Sequence, residues 1–335
     1  MKVLITIMAM YLFTACSSNN VQAEAPIDYK NTSILMENGT TTSKLYTRNS
    51  SISEVMSDPA FSSYGRLLFP VNTNYWSGHN LEQLHLTWYS HINPDKTVEI
   101  VNYVRERSVA GEQVFFDIYT EEEKKADPRK RNTGLFFFKG NSGAPFAICN
   151  AGGGGVFVGA MHDSFPHALE ISKKGYNAFA LIYRAGNGAM EDLARAIDYI
   201  FAHAEELCVS TECYSVWGGS AGARMAASMG SYGSTSFGGI TTQRAGTVVM
   251  QYTGHSDYTR NDPPTYVCVG DSDGIANWRT MKNRIDKMNA LGIHTEFHVY
   301  PGLPHGFGLG IGTVAEGWID DAVSFWEKQM NNEDN

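Results

Sequence analysis

From Leu135 onward the chain alternates apolar runs of four to eight residues with stretches of helical periodicity. This pattern constrains the fold more than any other feature. The runs are Leu135–Phe138, Phe146–Cys149, Ala178–Tyr183, Tyr214–Trp217, Thr247–Gln251, Thr265–Val269 and Glu296–Tyr300. Most lack the apolar–polar alternation of a strand with one wet face, so they predict strands buried on both sides. Between them, Met190, Leu193, Ile197, Ile200, Ala204 and Leu207 mark one apolar helix face. Met281, Ile285, Met288 and Leu291 mark a second, with Gly292 placed to stop it, and Trp318, Ala322, Val323 and Trp326 mark a third. Strands each followed by a helix predict an α/β fold: a mostly parallel sheet covered by helices on both faces.

The rest of the chain divides by composition. Residues 1–15 read as a signal peptide, with Lys2 ahead of an apolar stretch from Val3 to Phe13 that is too short to span a bilayer. The stretch ends in Phe13-Thr14-Ala15-Cys16, which resembles a bacterial lipobox. Cys16 would then carry a lipid and anchor an exported protein to a membrane. Cleavage after Val21-Gln22-Ala23, releasing a soluble secreted protein, is the alternative. Residues 16–50 are polar and read as a tether and irregular lead-in. Residues 51–134 read as a largely helical N-terminal extension packing on or capping the core. Within it, Ser53 or Ser57 is placed to cap a short helix, residues 113–119 read as a strand, and the charged run Glu121 to Arg131 reads as a solvated loop. Residues 135–330 read as one domain built from the alternating strands and helices.

Acidic residues outnumber basic ones, 35 to 26, for a formal charge of −9. Nucleic acid is excluded as a partner, because its binding needs clustered Lys and Arg. Cys149 and Cys268 sit in apolar runs as buried thiols. Cys208 and Cys213 are either a disulfide closing a short loop or two separate thiols. Neither a CxxC motif nor a His/Cys cluster points to metal.

The chemical signal is Trp217-Gly218-Gly219-Ser220-Ala221-Gly222, placed after one strand run and before the small-residue helix Ala223 to Met229. In a sharp strand-to-helix turn, G-x-S-x-G exposes a serine hydroxyl beside a helix N-terminus. A serine needs a base, and His305 in Leu303-Pro304-His305-Gly306-Phe307 follows the last strand. The remaining histidines, His162 among them, lack that context. An acid to orient the base is expected after the preceding strand, where Asp271 and Asp273 both stand. Asp271 suits a turn-forming role, and Asp273 is preferred. After the second strand, Asn150-Ala151-Gly152-Gly153-Gly154-Gly155 offers bare backbone N–H groups of the kind that hold an oxyanion. Trp76, Trp88 and Tyr89 either line a pocket or pack into the core.

In this order the glycine run, Tyr183-Arg184, Gly218-Gly219-Ser220-Ala221-Gly222, Asp273 and His305-Gly306-Phe307 resemble the α/β-hydrolase fold. Within it the chain is similar to carboxylesterases related to hormone-sensitive lipase and to bacterial acetyl-xylan-type esterases. The family's His-Gly-Gly-Gly stands here as Asn150 to Gly155. The resemblance implies Ser220 as nucleophile, His305 as base and Asp273 as its orienter. It implies Gly153, Gly154 and Ala221 as oxyanion donors, a small-molecule or carbohydrate ester as substrate, and no cofactor. A serine peptidase of the same fold and a non-catalytic surface lipoprotein are the alternatives; the oligomeric state is left open.

Overall fold

The computed structural model describes residues 45–333, Ser63 excepted. The expectations for the signal peptide, Cys16 and the Ala23 cleavage site lie outside the described residues. The extension opens with α1 (Ile52–Met56), whose N-cap is Ser51, its hydroxyl accepting from Glu54 N–H, rather than Ser53 or Ser57. Helix α2 (Pro94–Val109) is capped by Asn93, with Pro94 in the first turn, where its missing N–H costs nothing. Helix α3 (Glu121–Ala126) replaces the expected loop. Thr120 and Glu123 form a reciprocal capping box, and the Lys124 ammonium pairs with Asp117 and Glu121. The charges that suggested a solvated loop are thus spent on caps and ion pairs.

All seven expected runs are strands. The sheet has eight: β1 (Phe115–Phe116), β2 (Gly134–Phe138), β3 (Pro145–Asn150), β4 (Asn177–Ile182), β5 (Ser210–Gly219), β6 (Thr247–Gln251), β7 (Thr265–Gly270) and β8 (Thr295–Tyr300). Their order is β8-β7-β6-β5-β3-β4-β2-β1. The six strands from β8 to β4 are parallel, and β2 and β1 add antiparallel. Strands β2, β4, β6 and β7 are buried along their whole length, while the edge strand β8 is half-buried throughout. Continuous burial inside and partial burial at the edge is what a two-sided cover dictates.

Helix α4 (Ser164–Lys173) packs with α2 and α9 (Trp318–Glu333), and α5 (Ala189–Ala202) packs with α7 (Ala221–Tyr232). The short α6 (Ala204–Leu207) follows α5, and α8 (Trp278–Ala290) lies along β7 and β8. Gly292 follows α8 in the left-handed conformation expected of a helix stop. One contiguous core runs from Tyr46 through the sheet to Trp326, so the extension shares its core with the sheet. Among the described residues no helix is long and apolar enough to cross a membrane.

Cys208 and Cys213 do not form the clip that their spacing allowed: Cys213 is a thiol. Both residues take left-handed backbone conformations. Cys208 ends α6, whereas Cys213 lies against Gly246 at the approach to β6, with its carbonyl accepting from the Trp326 indole. The short loop therefore turns twice and commits the two residues to different neighbours.

Candidate active site

Strand register brings the motifs together. Strand β3 lies beside β5 with Asn150 opposite Gly218, so the glycine loop after β3 meets the serine turn after β5. The loops after β7 and β8 carry Asp273 and His305 to the same end of the sheet. Ligands bind at the carboxyl ends of parallel strands for this reason.

Ser220 sits between β5 and α7 at φ 51° and ψ −114°, with its N–H held by the Gln251 carbonyl at 2.9 Å. A positive φ on a non-glycine residue costs about 1–3 kcal/mol and persists only where the surroundings enforce it. His305 Nε2 lies 2.9 Å from the Ser220 hydroxyl, and His305 Nδ1 lies 2.7 Å from Asp273 Oδ2. The other Asp273 oxygen accepts from the N–H groups of Ile275 and Ala276 at 2.8 and 2.7 Å. Asp273 is almost wholly buried, at 1% side-chain exposure. Asp271 instead accepts from Gly302 N–H at 2.7 Å and from the Ser272 hydroxyl at 3.0 Å. It is an exposed turn residue, as its position predicts.

The glycine loop curls past the serine. A Cβ on Gly152 would fall 2.8 Å from Ser220 Cβ. Gly153 and Gly154 have φ of 134° and 61°, and a Cβ on Gly153 would strike the Phe157 carbonyl at 2.2 Å. Side chains at these positions are barred by both conformation and space. The N–H groups of Gly153, Gly154 and Ala221 donate to no protein acceptor among the described residues, and Ala221 opens α7. Those N–H groups remain available to a substrate oxygen. Among the described residues no group of three or more His, Cys, Asp or Glu side chains could hold a metal ion.

Sequence reasoning missed Asp163, at the N-terminus of α4. Its fully buried carboxylate accepts from Gly152 N–H at 2.7 Å, Tyr89 OH at 2.9 Å and Tyr252 OH at 2.8 Å. It also fills the space beside Gly219, where a Cβ would come within 2.4 Å of Oδ1. The glycine before Ser220 is therefore a seat for Asp163. The carboxylate ties together the glycine loop, the extension through Tyr89 and the chain beyond β6 through Tyr252. His162 was also missed. It is buried, its ring nitrogen bonds the Gly306 carbonyl at 3.0 Å, and burial lowers its pKa to about 4. A neutral His162 thus braces the loop that carries His305. Tyr183 OH donates to the Ala151 carbonyl at 2.6 Å, and Arg184 binds Asp192 and Asp127.

Burial pushes the Asp163 carboxyl up to about 6, against the pull of its three donors and of His305. The folded state therefore holds a proton that the unfolded chain loses near pH 4. Stability from this group is full below about pH 4 and lost as pH rises through about 6, by roughly 3 kcal/mol. Asp163→Asn should remove that step. Urea unfolding at pH 4.5 and pH 8 should show a smaller loss of stability with pH in the variant than in the wild type; equal losses would refute the assignment. The amide also offers one acceptor oxygen where three donors converge, so turnover should fall about 10- to 100-fold as the glycine loop loosens.

The family model described as BD-FAE matches residues 138–259, which hold the glycine loop and the serine turn. Comparison with curated proteins finds no match. Among solved structures, the chain is similar to an α/β hydrolase enzyme from a Medee basin deep-sea metagenome library. The identity is 22% over 59% of this chain and 93% of that one, with a TM-score of 0.52. It is similar to an acetyl ester-xyloside bifunctional hydrolase from Caldicellulosiruptor lactoaceticus, at 19% identity over 64% and 95%, TM-score 0.56. It is similar to a propionate-bound thermophilic esterase from the Planctomycetes species Thermogutta terrifontis, at 19% identity over 58% and 89%, TM-score 0.51. At these identities the likeness is one of fold. With its parallel sheet and the serine turn after β5, the chain has the α/β-hydrolase fold.

Proposed function

We propose that this protein is a serine hydrolase of carboxylic esters, with acylated carbohydrates as its substrate class. The observation that carries the reading is the hydrogen-bonded chain Ser220–His305–Asp273 beside unoccupied backbone donors. Ser220 Oγ attacks the ester carbonyl carbon as its proton passes to His305 Nε2. The electron pair moves onto the carbonyl oxygen, which the N–H groups of Gly153, Gly154 and Ala221 hold. Each such donor is worth about 3–4 kcal/mol in the transition state. The intermediate collapses, the bond to the alcohol oxygen breaks, and His305 returns the proton to the leaving alcohol. Water then attacks the acyl carbon as His305 takes its proton, the bond to Ser220 Oγ breaks, His305 returns the proton to that oxygen, and the carboxylic acid leaves. Asp273 holds Nδ1–H and stabilises the imidazolium.

The likeness to an acetyl ester-xyloside hydrolase supports the carbohydrate side of the reading. A substrate panel tests it: ethyl acetate, p-nitrophenyl acetate, acetylated xylan and peptide p-nitroanilides. Turnover of the esters with none of the amides is expected. Amide cleavage at comparable kcat/KM would decide for a peptidase, and no turnover of any for a binding scaffold.

We further propose that the protein is exported and anchored through a lipid on Cys16. The support is the apolar stretch Val3 to Phe13 ending at Ala15-Cys16. Mass spectrometry of the mature N-terminus should find diacylglyceryl-modified Cys16. An unmodified terminus at Glu24 would decide for a soluble secreted protein.

A further inference from the structure

We infer that Trp88, contributed by the extension, is the platform on which a neutral sugar ring of the substrate stacks, next to the nucleophile. This rests on the ester-hydrolase reading above. The segment carrying Trp88 is pinned to the site on both sides. Ser90 N–H donates to the Gly306 carbonyl at 2.9 Å, the Ser90 hydroxyl donates to the His305 carbonyl at 3.0 Å, and Tyr89 OH reaches Asp163. On the other side, a Cβ at Gly154 would fall 2.6 Å from the Trp88 ring, while Gly152 lies against Ser220. Two residues of chain span at most ~7 Å. The indole thus lies against the glycine loop that passes the serine turn, and its backbone lies against the loop that carries His305.

Packing accounts for only part of the side chain. Trp88 has φ 67°, which is costly for a bulky residue, and is 44% exposed. Phe157 stacks on it at 5.8 Å, Tyr75 lies 5.7 Å away, and Tyr75 and Phe157 stack on each other at 5.2 Å. These rings fix the indole and leave part of it to solvent. A rigid, half-exposed aromatic surface beside a reacting centre suits the C–H face of a pyranose, whose hydroxyls then point outward to water and polar groups.

Phe157 also lines a cavity of about 380 Å³, with Asn72, Asn132, Arg129 and Arg184 among its walls. Arg129 and Arg184 both bind Asp127, and Arg184 also binds Asp192 and Glu191. The guanidinium charges are therefore already neutralised. With those pairs made the walls carry no net positive charge, which favours a neutral oligosaccharide over a uronate. Trp88 and Tyr75 lie outside residues 138–259, so the sugar preference comes from a part of the chain that the matched family model does not cover.

The test compares kcat/KM for an acetylated xylo-oligosaccharide with that for ethyl acetate, in wild type, Trp88→Phe and Trp88→Ala. The ratio of the two should fall roughly 5- to 100-fold in Trp88→Ala, mainly through KM for the sugar ester, and less in Trp88→Phe. An unchanged ratio, with both esters losing equally, would show a mere brace and overturn the proposal. A second readout does not depend on turnover. Ser220→Ala protein titrated with unacetylated xylohexaose should show a change in tryptophan fluorescence that Ser220→Ala/Trp88→Phe lacks. Wild type that cleaves neither ester while this binding signal persists would sink the hydrolase reading and keep the platform. Cleavage without the binding signal, at an unchanged ratio, would do the reverse.

Discussion

Ser220→Ala should lower ester turnover by roughly 10⁴- to 10⁶-fold while the protein stays folded, leaving only what oxyanion donors and binding supply. The alanine removes the attacking oxygen and the hydrogen bond to His305, and nothing that holds the turn. Ser220 N–H still reaches Gln251, Gly152 still lies alongside, and Asp163 still fills the space beside Gly219. The melting temperature should move by only a few degrees, because one partly exposed hydrogen bond is worth about 1 kcal/mol. Ser220→Gly gives a second reading of the same turn. Without a Cβ, the φ of 51° is no longer strained, so this variant should be about 1 kcal/mol more stable than Ser220→Ala and equally inactive. Turnover and thermal unfolding of the two variants check both statements. Ser220→Ala protein that keeps more than a hundredth of wild-type turnover would sink the acyl-enzyme mechanism. A glycine variant less stable than the alanine variant would refute the strain.

The sheet was legible because β2 to β7 are covered on both faces, and continuous apolar runs have no other economical explanation in a chain of this length. Ser220, Asp273 and His305 were legible because each follows a strand in chain order, and a parallel sheet collects such loops at one end. Helix α4 was hidden by Pro166, which is tolerated in its first turn, where the amide has no intrahelical acceptor. Helix α3 was hidden by its charge, since a capping box and ion pairs hold it in place of an apolar face. Asp163 left no motif, because its partners Gly152, Tyr89 and Tyr252 are scattered along the chain and meet only in the fold. The one trace it left is Gly219. A glycine directly before Ser220 removes a side chain, and a distant carboxylate fills the room. Trp88 was noted as a pocket or core candidate, but only the fold separates it from its neighbours. Trp76 packs on Phe69 with its N–H on the Pro70 carbonyl, Tyr89 turns inward to Asp163, and Trp88 is left 44% exposed.

Asp273→Asn should lower kcat by about 10⁴-fold with little change in stability, whereas Asp271→Asn should leave turnover within about twofold of wild type. The two substitutions are chemically identical and two residues apart, so the contrast isolates what each oxygen touches. At Asp273, the amide oxygen of the asparagine can still accept from Ile275 and Ala276, which keeps the loop in place. Its NH₂ group then faces His305 Nδ1, a nitrogen that must now accept rather than donate. The ring proton moves to Nε2, which points at Ser220 and can no longer take its proton. The imidazolium formed during attack also loses its buried counter-charge. At Asp271, the amide oxygen still accepts from Gly302, and the exposed turn loses a charge and little else. Steady-state kinetics and thermal melts of the two variants decide the matter. Catalysis lost at Asp271 and kept at Asp273 would reverse the roles of the two acids, and catalysis kept at both would remove the carboxylate from the mechanism.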